Sequence, residues 1–225
     1  MNKQFAIFDM DGTLVDSMAF WKRLGREYLE LKGIRGDLDD VMERIKPMTM
    51  SESAKLFVEE FSLDRTPESV ETEMNEMMDA HYREDIPLKP GVRDYLELLH
   101  TSGVKMCVAS ATAEKLMMAC LSRLGVAQYF QFFLSCETVG VGKREPDVYF
   151  EAAKRLGASP KDIAVYEDAL YAARTAKQAG FYTIGVFDDS SKRHWEQLCG
   201  LADEVICDWS KKEEKNENSI NNCRK

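Results

Sequence analysis

The chain has 225 residues, of which 44% are hydrophobic and 31% charged, with a formal net charge of −9. That length and mix suit a packed α/β core carrying a smaller insertion and exclude a mostly disordered chain. The acidic balance excludes a general attraction to nucleic acid or anionic lipid, so neither is expected as a partner.

Taken in chain order, the first element is FAIF (5–8), a short apolar strand that runs straight into aspartates. From 15 to 86 the pattern is helical: FWKRLGREYLELKG, DLDDVMERIK, SESAKLFVEEF and PESVETEMNEMMDAHYRED. Met74, Met77 and Met78 in the last of these read as helix packing. PLKPG (87–91) marks a return, and further strands follow at KMCVA (105–109), FFLS (132–135), DIAVY (162–166), YTIGV (182–186) and EVIC (204–207). Continuous apolar runs separated by helices indicate a parallel sheet covered on both faces. Thr112 is placed to cap a helix that stops at Gly125, Pro146 opens one that ends before Gly157, Ser159-Pro160 starts a short turn, and ALYAARTAKQA ends at Gly180.

Roughly ninety residues separate the first two strands, far more than one crossover needs. The expected fold is therefore α/β, a Rossmann-like parallel sheet core with helices on both faces and an inserted α-helical cap. The expected domains are a core of 1–14 and 87–210, a cap of 15–86 and a disordered charged tail of 211–225. No leader is seen at the first residues and no apolar stretch approaches the roughly 20 residues needed to cross a bilayer. A soluble cytoplasmic protein, monomeric by default, is expected. Six cysteines without CxxC spacing read as buried thiols, and His81, His100 and His194 as surface residues.

The chemistry concentrates in FDMDGTLVDS (8–17). Residues two apart in a strand face the same side, so Asp9 and Asp11 start out aimed together at a carboxyl end, where open α/β sheets bind ligands. Gly12 lets the backbone break away. A bare DxDG would suit a plain strand-to-turn junction; the full string following a strand carries more.

The string resembles motif I of the haloacid dehalogenase superfamily, and three further segments match that family in order. They are Ser110 in VASAT, Lys143 in GKREPDVY and Glu167-Asp168 closing DIAVYED. The resemblance spans about residues 3–208, and the inserted helices resemble the family's C1 cap. It implies a phosphatase in which Asp9 is the nucleophile and Asp11 the general acid and base. It implies that Ser110, the Ala111 N–H and Lys143 hold the phosphate, and that Asp9, the Asp11 carbonyl, Asp168 and Glu167 hold Mg2+. Electrostatics asks for the cation independently: two like charges 4 Å apart repel by about 4 kcal/mol at an effective dielectric near 20, and several carboxylates converge here. Cys136 and Glu137 follow a strand and are read as structural.

The expected function is hydrolysis of a small phosphomonoester, a sugar phosphate or related metabolite, through an aspartyl-phosphate. The alternative is a β-phosphoglucomutase-type mutase. Mutases of the family carry a His after motif I and an Arg in the cap; here those places hold Trp21 and Met50. Dehalogenases generally lack the second motif I aspartate, and Asp11 is present. A non-catalytic binding protein is a third reading, opposed by the filled catalytic positions. In the stretch after Asp168, Ala169 and Ala172 replace the family's usual Ser and Gly, a small packing change. Arg44, Lys46, Glu52 and Lys55 are the cap candidates for substrate choice.

Overall fold

In the computed structural model, which describes residues 3–45, 48 and 50–210, the apolar runs become one six-stranded sheet. The strands are β1 (Phe5–Phe8), β2 (Lys105–Ser110), β3 (Phe130–Ser135), β4 (Ile163–Glu167), β5 (Tyr182–Val186) and β6 (Glu204–Ile206). Every described pairing is parallel, and the order is β3-β2-β1-β4-β5-β6. β1 is central. The chain builds outward from it through β2 and β3, then restarts on its other side with β4. The order therefore reverses between β1 and β4, and a crevice opens at their carboxyl ends.

The helices in chain order are α1 (Met18–Leu31), α2 (Asp39–Ile45), α3 (Met50–Phe61), α4 (Pro67–Glu84), α5 (Val92–Thr101), α6 (Glu114–Arg123), α7 (Cys136–Val139), α8 (Asp147–Leu156), α9 (Leu170–Gln178) and α10 (Trp195–Leu201). α8 shows why they form. Its buried stripe is Val148, Tyr149, Ala152, Ala153 and Leu156, at helical spacing, and Gly157 ends it in the left-handed conformation. That stripe packs on Ile7, Cys107, Ala109 and Val165 from three adjacent strands. Phe8 faces the other way and stacks on Tyr166 with ring centroids 4.1 Å apart.

Residues Met18–Asp85 form one compact unit, and the segments up to Ser17 and from Ile86 form the other. The first boundary lies three residues later than the sequence pattern suggested, and a backbone ribbon explains it. Val15 bridges to Leu88, the Asp16 N–H donates to the Pro87 carbonyl at 3.0 Å, and the Lys89 N–H donates to the Leu14 carbonyl at 2.9 Å. Val15–Ser17 is thus held by the core's own hydrogen bonds. Within the inserted unit, Met74 and Met78 are buried, and Thr66 caps α4 by accepting from the Ser69 N–H.

Cys107, Cys120 and Cys136 are buried thiols, whereas Cys207 is disulfide-bonded, a departure from the expectation of six thiols. His100 is exposed as expected. His81 is not: its side chain is 14% exposed and lies between Asp85 and Glu27 at 2.7 and 3.2 Å, because α1 and α4 pack across it. His194 is half-buried. No described helix is long and apolar enough to cross a membrane. The segment 211–225, expected to be a disordered tail, lies outside the described residues, as does Lys46.

Candidate active site

Parallel register assembles the first half of the site. Phe8 pairs with Tyr166, and the Asp9 N–H donates to the Tyr166 carbonyl at 3.0 Å, so the ladder runs one residue past β1. Asp9 thereby stands beside Glu167, the last residue of β4, and neighbours in register project to the same face. Gly12 then turns the chain with φ +78°. A Cβ there would sit 2.8 Å from Asp168 Oδ2 and 2.9 Å from its Cγ. Glycine serves the backbone conformation and the close approach together. Asp9, Glu167 and Asp168 are 6%, 1% and 6% exposed. Each offers an oxygen, and these oxygens lie within 4.8 Å of one another.

Lys143 enters from the loop between α7 and α8 and is 6% exposed. Its ammonium donates to Asp9 Oδ1 and, at 2.7 Å, to Glu167 Oε1. The Tyr149 hydroxyl, from the first turn of α8, donates to the same Oε1 at 2.7 Å.

The electrostatics follow from burial. Burial raises the Asp9 carboxyl above its ordinary value, Lys143 works against that, and Asp11 adds to it. Burial lifts Glu167 to about 8, with Lys143 opposing and Asp9 reinforcing. Asp168 is lifted to about 7, first by burial and then by Asp9 and Asp188, with Ser191 and Lys89 opposing. Burial alone would lower Lys143, but Asp9 and Glu167 overcome it and raise the ammonium. Three buried carboxyls thus share one buried cation. The rise at Glu167 and Asp168 expresses that shortage of positive charge. Their donors are all carboxylate oxygens, a hard set that fits Mg2+.

Asp11 is held apart from that trio by hydroxyls. Ser17 Oγ donates to its Oδ1 at 2.6 Å, while Thr112 Oγ1 and Ser110 Oγ donate to its Oδ2 at 2.6 and 3.4 Å. Ser110 closes β2 and is 1% exposed, and Ala111 is the exposed residue after it. The structure therefore joins Asp9, Lys143, Glu167 and Asp168 in one cluster, and Asp11 with Ser110 in a hydrogen-bonded group whose charge acts on Asp9.

Several contacting residues were not legible beforehand. Thr112 does not cap α6, which starts at Glu114 behind Ala113 without a side-chain cap; its hydroxyl goes to Asp11 instead. Ser17 ends the ten-residue string, which was the one available signal for it. Tyr149, Lys89, Asp188 and Ser191 carry no local pattern. Burial works against ionisation of Asp188, but hydrogen bonds from Lys89 and Ser190 hold its carboxyl below the usual range. Cys136 and Glu137 form the start of α7, where the Glu137 N–H donates to Ser135 Oγ. In the inserted unit Arg44 pairs with Glu60 at 2.6 Å and lines a surface groove with Glu52 and Lys55.

A family model described as haloacid dehalogenase-like hydrolase matches residues 4–180. Similar proteins include a phosphorylated carbohydrates phosphatase of Thermotoga maritima, 28% identical over 178 residues, covering 79% of this chain and 82% of the relative. A β-phosphoglucomutase of Bacillus subtilis is 27% identical over 191 residues, covering 80% of this chain and 81% of the relative. A crystal structure of an Entamoeba histolytica HAD hydrolase, family IA, variant 3, superposes with a TM-score of 0.74, covering 99% of this chain and all of that one. At 18% identity that last likeness speaks for the fold alone. The family match runs over most of the chain and includes all the strand ends that carry the acidic cluster, and on that ground the chain belongs to the haloacid dehalogenase-like hydrolases.

Proposed function

We propose that this chain is a Mg2+-dependent phosphatase that hydrolyses a small phosphomonoester, a sugar phosphate or related metabolite, through an aspartyl-phosphate on Asp9. The observation that carries this reading is the buried acidic trio with one ammonium wedged between two of its members. In the first step an Asp9 carboxylate oxygen bonds to phosphorus, and the ester oxygen leaves as an alcohol with a proton from Asp11. In the second, Asp11 takes a proton from water, the water oxygen bonds to phosphorus, and phosphate departs from Asp9. Hydrogen bonds from the Ser17, Ser110 and Thr112 hydroxyls fix the orientation of the Asp11 side chain for both steps.

Lys143 offsets charge on the nucleophile, and Ser110 and the Ala111 N–H donate to phosphoryl oxygens. Asp9, Asp168, the Asp11 carbonyl and Glu167 would hold Mg2+. When bound, the ion offsets negative charge on the transferring phosphoryl group.

Hydrolysis is favoured over phosphosugar mutation by two positions. Trp21 stands where the mutases of the family carry His, and its Nε1 donates to the Tyr82 hydroxyl at 3.1 Å within the inserted unit. Met50, the first residue of α3, stands where their phosphate-gripping Arg is sought. The test is phosphate release from p-nitrophenyl phosphate with Mg2+, followed by a screen of phosphorylated metabolites. Asp9→Asn abolishes release, and activity retained in that variant overturns the assignment of the nucleophile. A coupled assay with β-glucose 1-phosphate detects no glucose 6-phosphate; its formation would favour the mutase.

A further inference from the structure

The trio of carboxyls is not the last layer of the site. Beyond β5 the chain passes through Phe187 and Asp188 into a tight turn at Asp189–His194. Asp188, 5% exposed, organises that turn. Its Oδ1 accepts from the Ser190 N–H at 2.8 Å and from the Ser190 hydroxyl, and its carbonyl accepts from the Ser191 N–H at 3.0 Å. Its other oxygen, Oδ2, pairs with Lys89 Nζ at 2.8 Å, and the same ammonium donates to the Phe187 carbonyl at 2.7 Å. Lys89 belongs to the ribbon at which the chain re-enters the core, fixed by its own N–H to the Leu14 carbonyl. At the other end of this array, the Ser191 hydroxyl donates to Asp168 Oδ2 at 3.1 Å.

We propose that Ser191 is a positioning residue for Asp168, held in place by the Lys89–Asp188 pair, and that this array sets the affinity of the site for its divalent cation. The inference rests on the metal role given to Asp168 under the proposed function. The Asp168 carboxylate can rotate about its side-chain bonds, and two constraints limit it. Gly12 packs against it where any Cβ would collide, and Ser191 holds the oxygen on that side. A ligand fixed before the ion arrives loses less freedom on binding, and hydrogen-bond partners of ligands typically change metal affinity about 10- to 100-fold. Lys89 has a second effect. Asp188 is itself an anion in the turn that carries Ser191, and Lys89 Nζ pairs with it at 2.8 Å. With Lys89 in place, Asp188 orders the turn without adding an unbalanced charge beside the ligand.

The test is calorimetric titration of the metal-stripped full chain with Mg2+, with the melting temperature of the metal-free protein measured alongside. Ser191→Ala is expected to weaken Mg2+ binding about tenfold or more, with the metal-free protein still melting cooperatively. Ser191→Thr, which keeps the hydroxyl, is expected to bind as the wild type does, and Asp188→Asn to weaken binding in the same direction as Ser191→Ala. Binding by Ser191→Ala within twofold of wild type overturns the inference, as does a lowered melting temperature with an unmoved Kd. A wild-type chain that binds no Mg2+ would overturn this inference together with the function on which it rests; wild-type binding that Ser191→Ala matches overturns this inference alone.

Discussion

Replacing Lys143 by Met tests the electrostatic account of the site most directly. The ammonium lies 2.7 Å from Glu167 Oε1 and also contacts Asp9 Oδ1, and the three side chains are 5%, 1% and 8% exposed in the order Lys143, Glu167, Asp9. At 2.7 Å and an effective dielectric of 20, one such attraction is worth about 6 kcal/mol before desolvation. Removing one partner of a buried ion pair typically destabilises by about 3–5 kcal/mol, because a buried charge is left uncompensated. Here two carboxyls are left, and they limit the loss by taking up protons, which their raised values make easy. Lys143→Met is therefore expected to destabilise the metal-free protein by about 3 kcal/mol or more at pH 7.5. Glu167→Gln removes one of the two carboxyls in advance. In that background Lys143→Met strands only Asp9, and the same substitution should cost about half as much. Urea denaturation of the wild type, both single variants and the double variant, all with a chelator present, measures the coupling. Effects that add within about 0.5 kcal/mol would show that Lys143 and Glu167 do not act as a unit, and the account would fail.

Other outcomes follow from the same contacts. Gly12→Ala forces a Cβ to 2.8 Å from Asp168 Oδ2 at a φ of +78°, so Mg2+ affinity should fall at least tenfold; calorimetry that finds wild-type affinity would refute the close packing. Glu167 and Asp168 sit at about 8 and 7 in the folded protein, above their ordinary 4.5 and 3.8, so the native state keeps protons that the unfolded chain has released. Their contribution to stability is complete below about pH 4 and is lost as pH rises through 7 to 8; the melting temperature of the chelated protein should fall from pH 5 to 8, and Mg2+ should reverse the trend while releasing protons. A chelated protein whose melting temperature is flat or rises over that range would contradict the raised carboxyls. Tyr149→Phe removes one donor from buried Glu167 and should destabilise by about 1–2 kcal/mol in urea, with no change in midpoint counting against that hydrogen bond.

Much of the fold was legible because its strands are buried on both faces. FAIF, the MCVA of β2 and the IAV of β4 are apolar without a break, and a covered parallel sheet accepts such runs. The helices announced themselves through Pro and Gly at their ends, which act locally. Thr112 shows where local reasoning stops: a threonine just ahead of a helix looks like a cap, but the side chain of Asp11, from the turn after β1, offers its hydroxyl an acceptor instead. His81 misled in the same way, since a polar stretch of α4 reads as solvated until α1 packs across it.

By itself the sequence determined the residue types at the strand ends: two aspartates after β1, a serine closing β2, a lysine ahead of α8 and an acidic pair at the end of β4. Only the tertiary structure decided that they meet. The reversal of strand order beside β1 sets Asp9 against Glu167, and the register of that pair, rather than any spacing along the chain, fixes their separation. It also decided their charge. A carboxyl's affinity for protons depends on how much water its neighbours exclude and on which charges remain near it, and both are properties of the packed molecule.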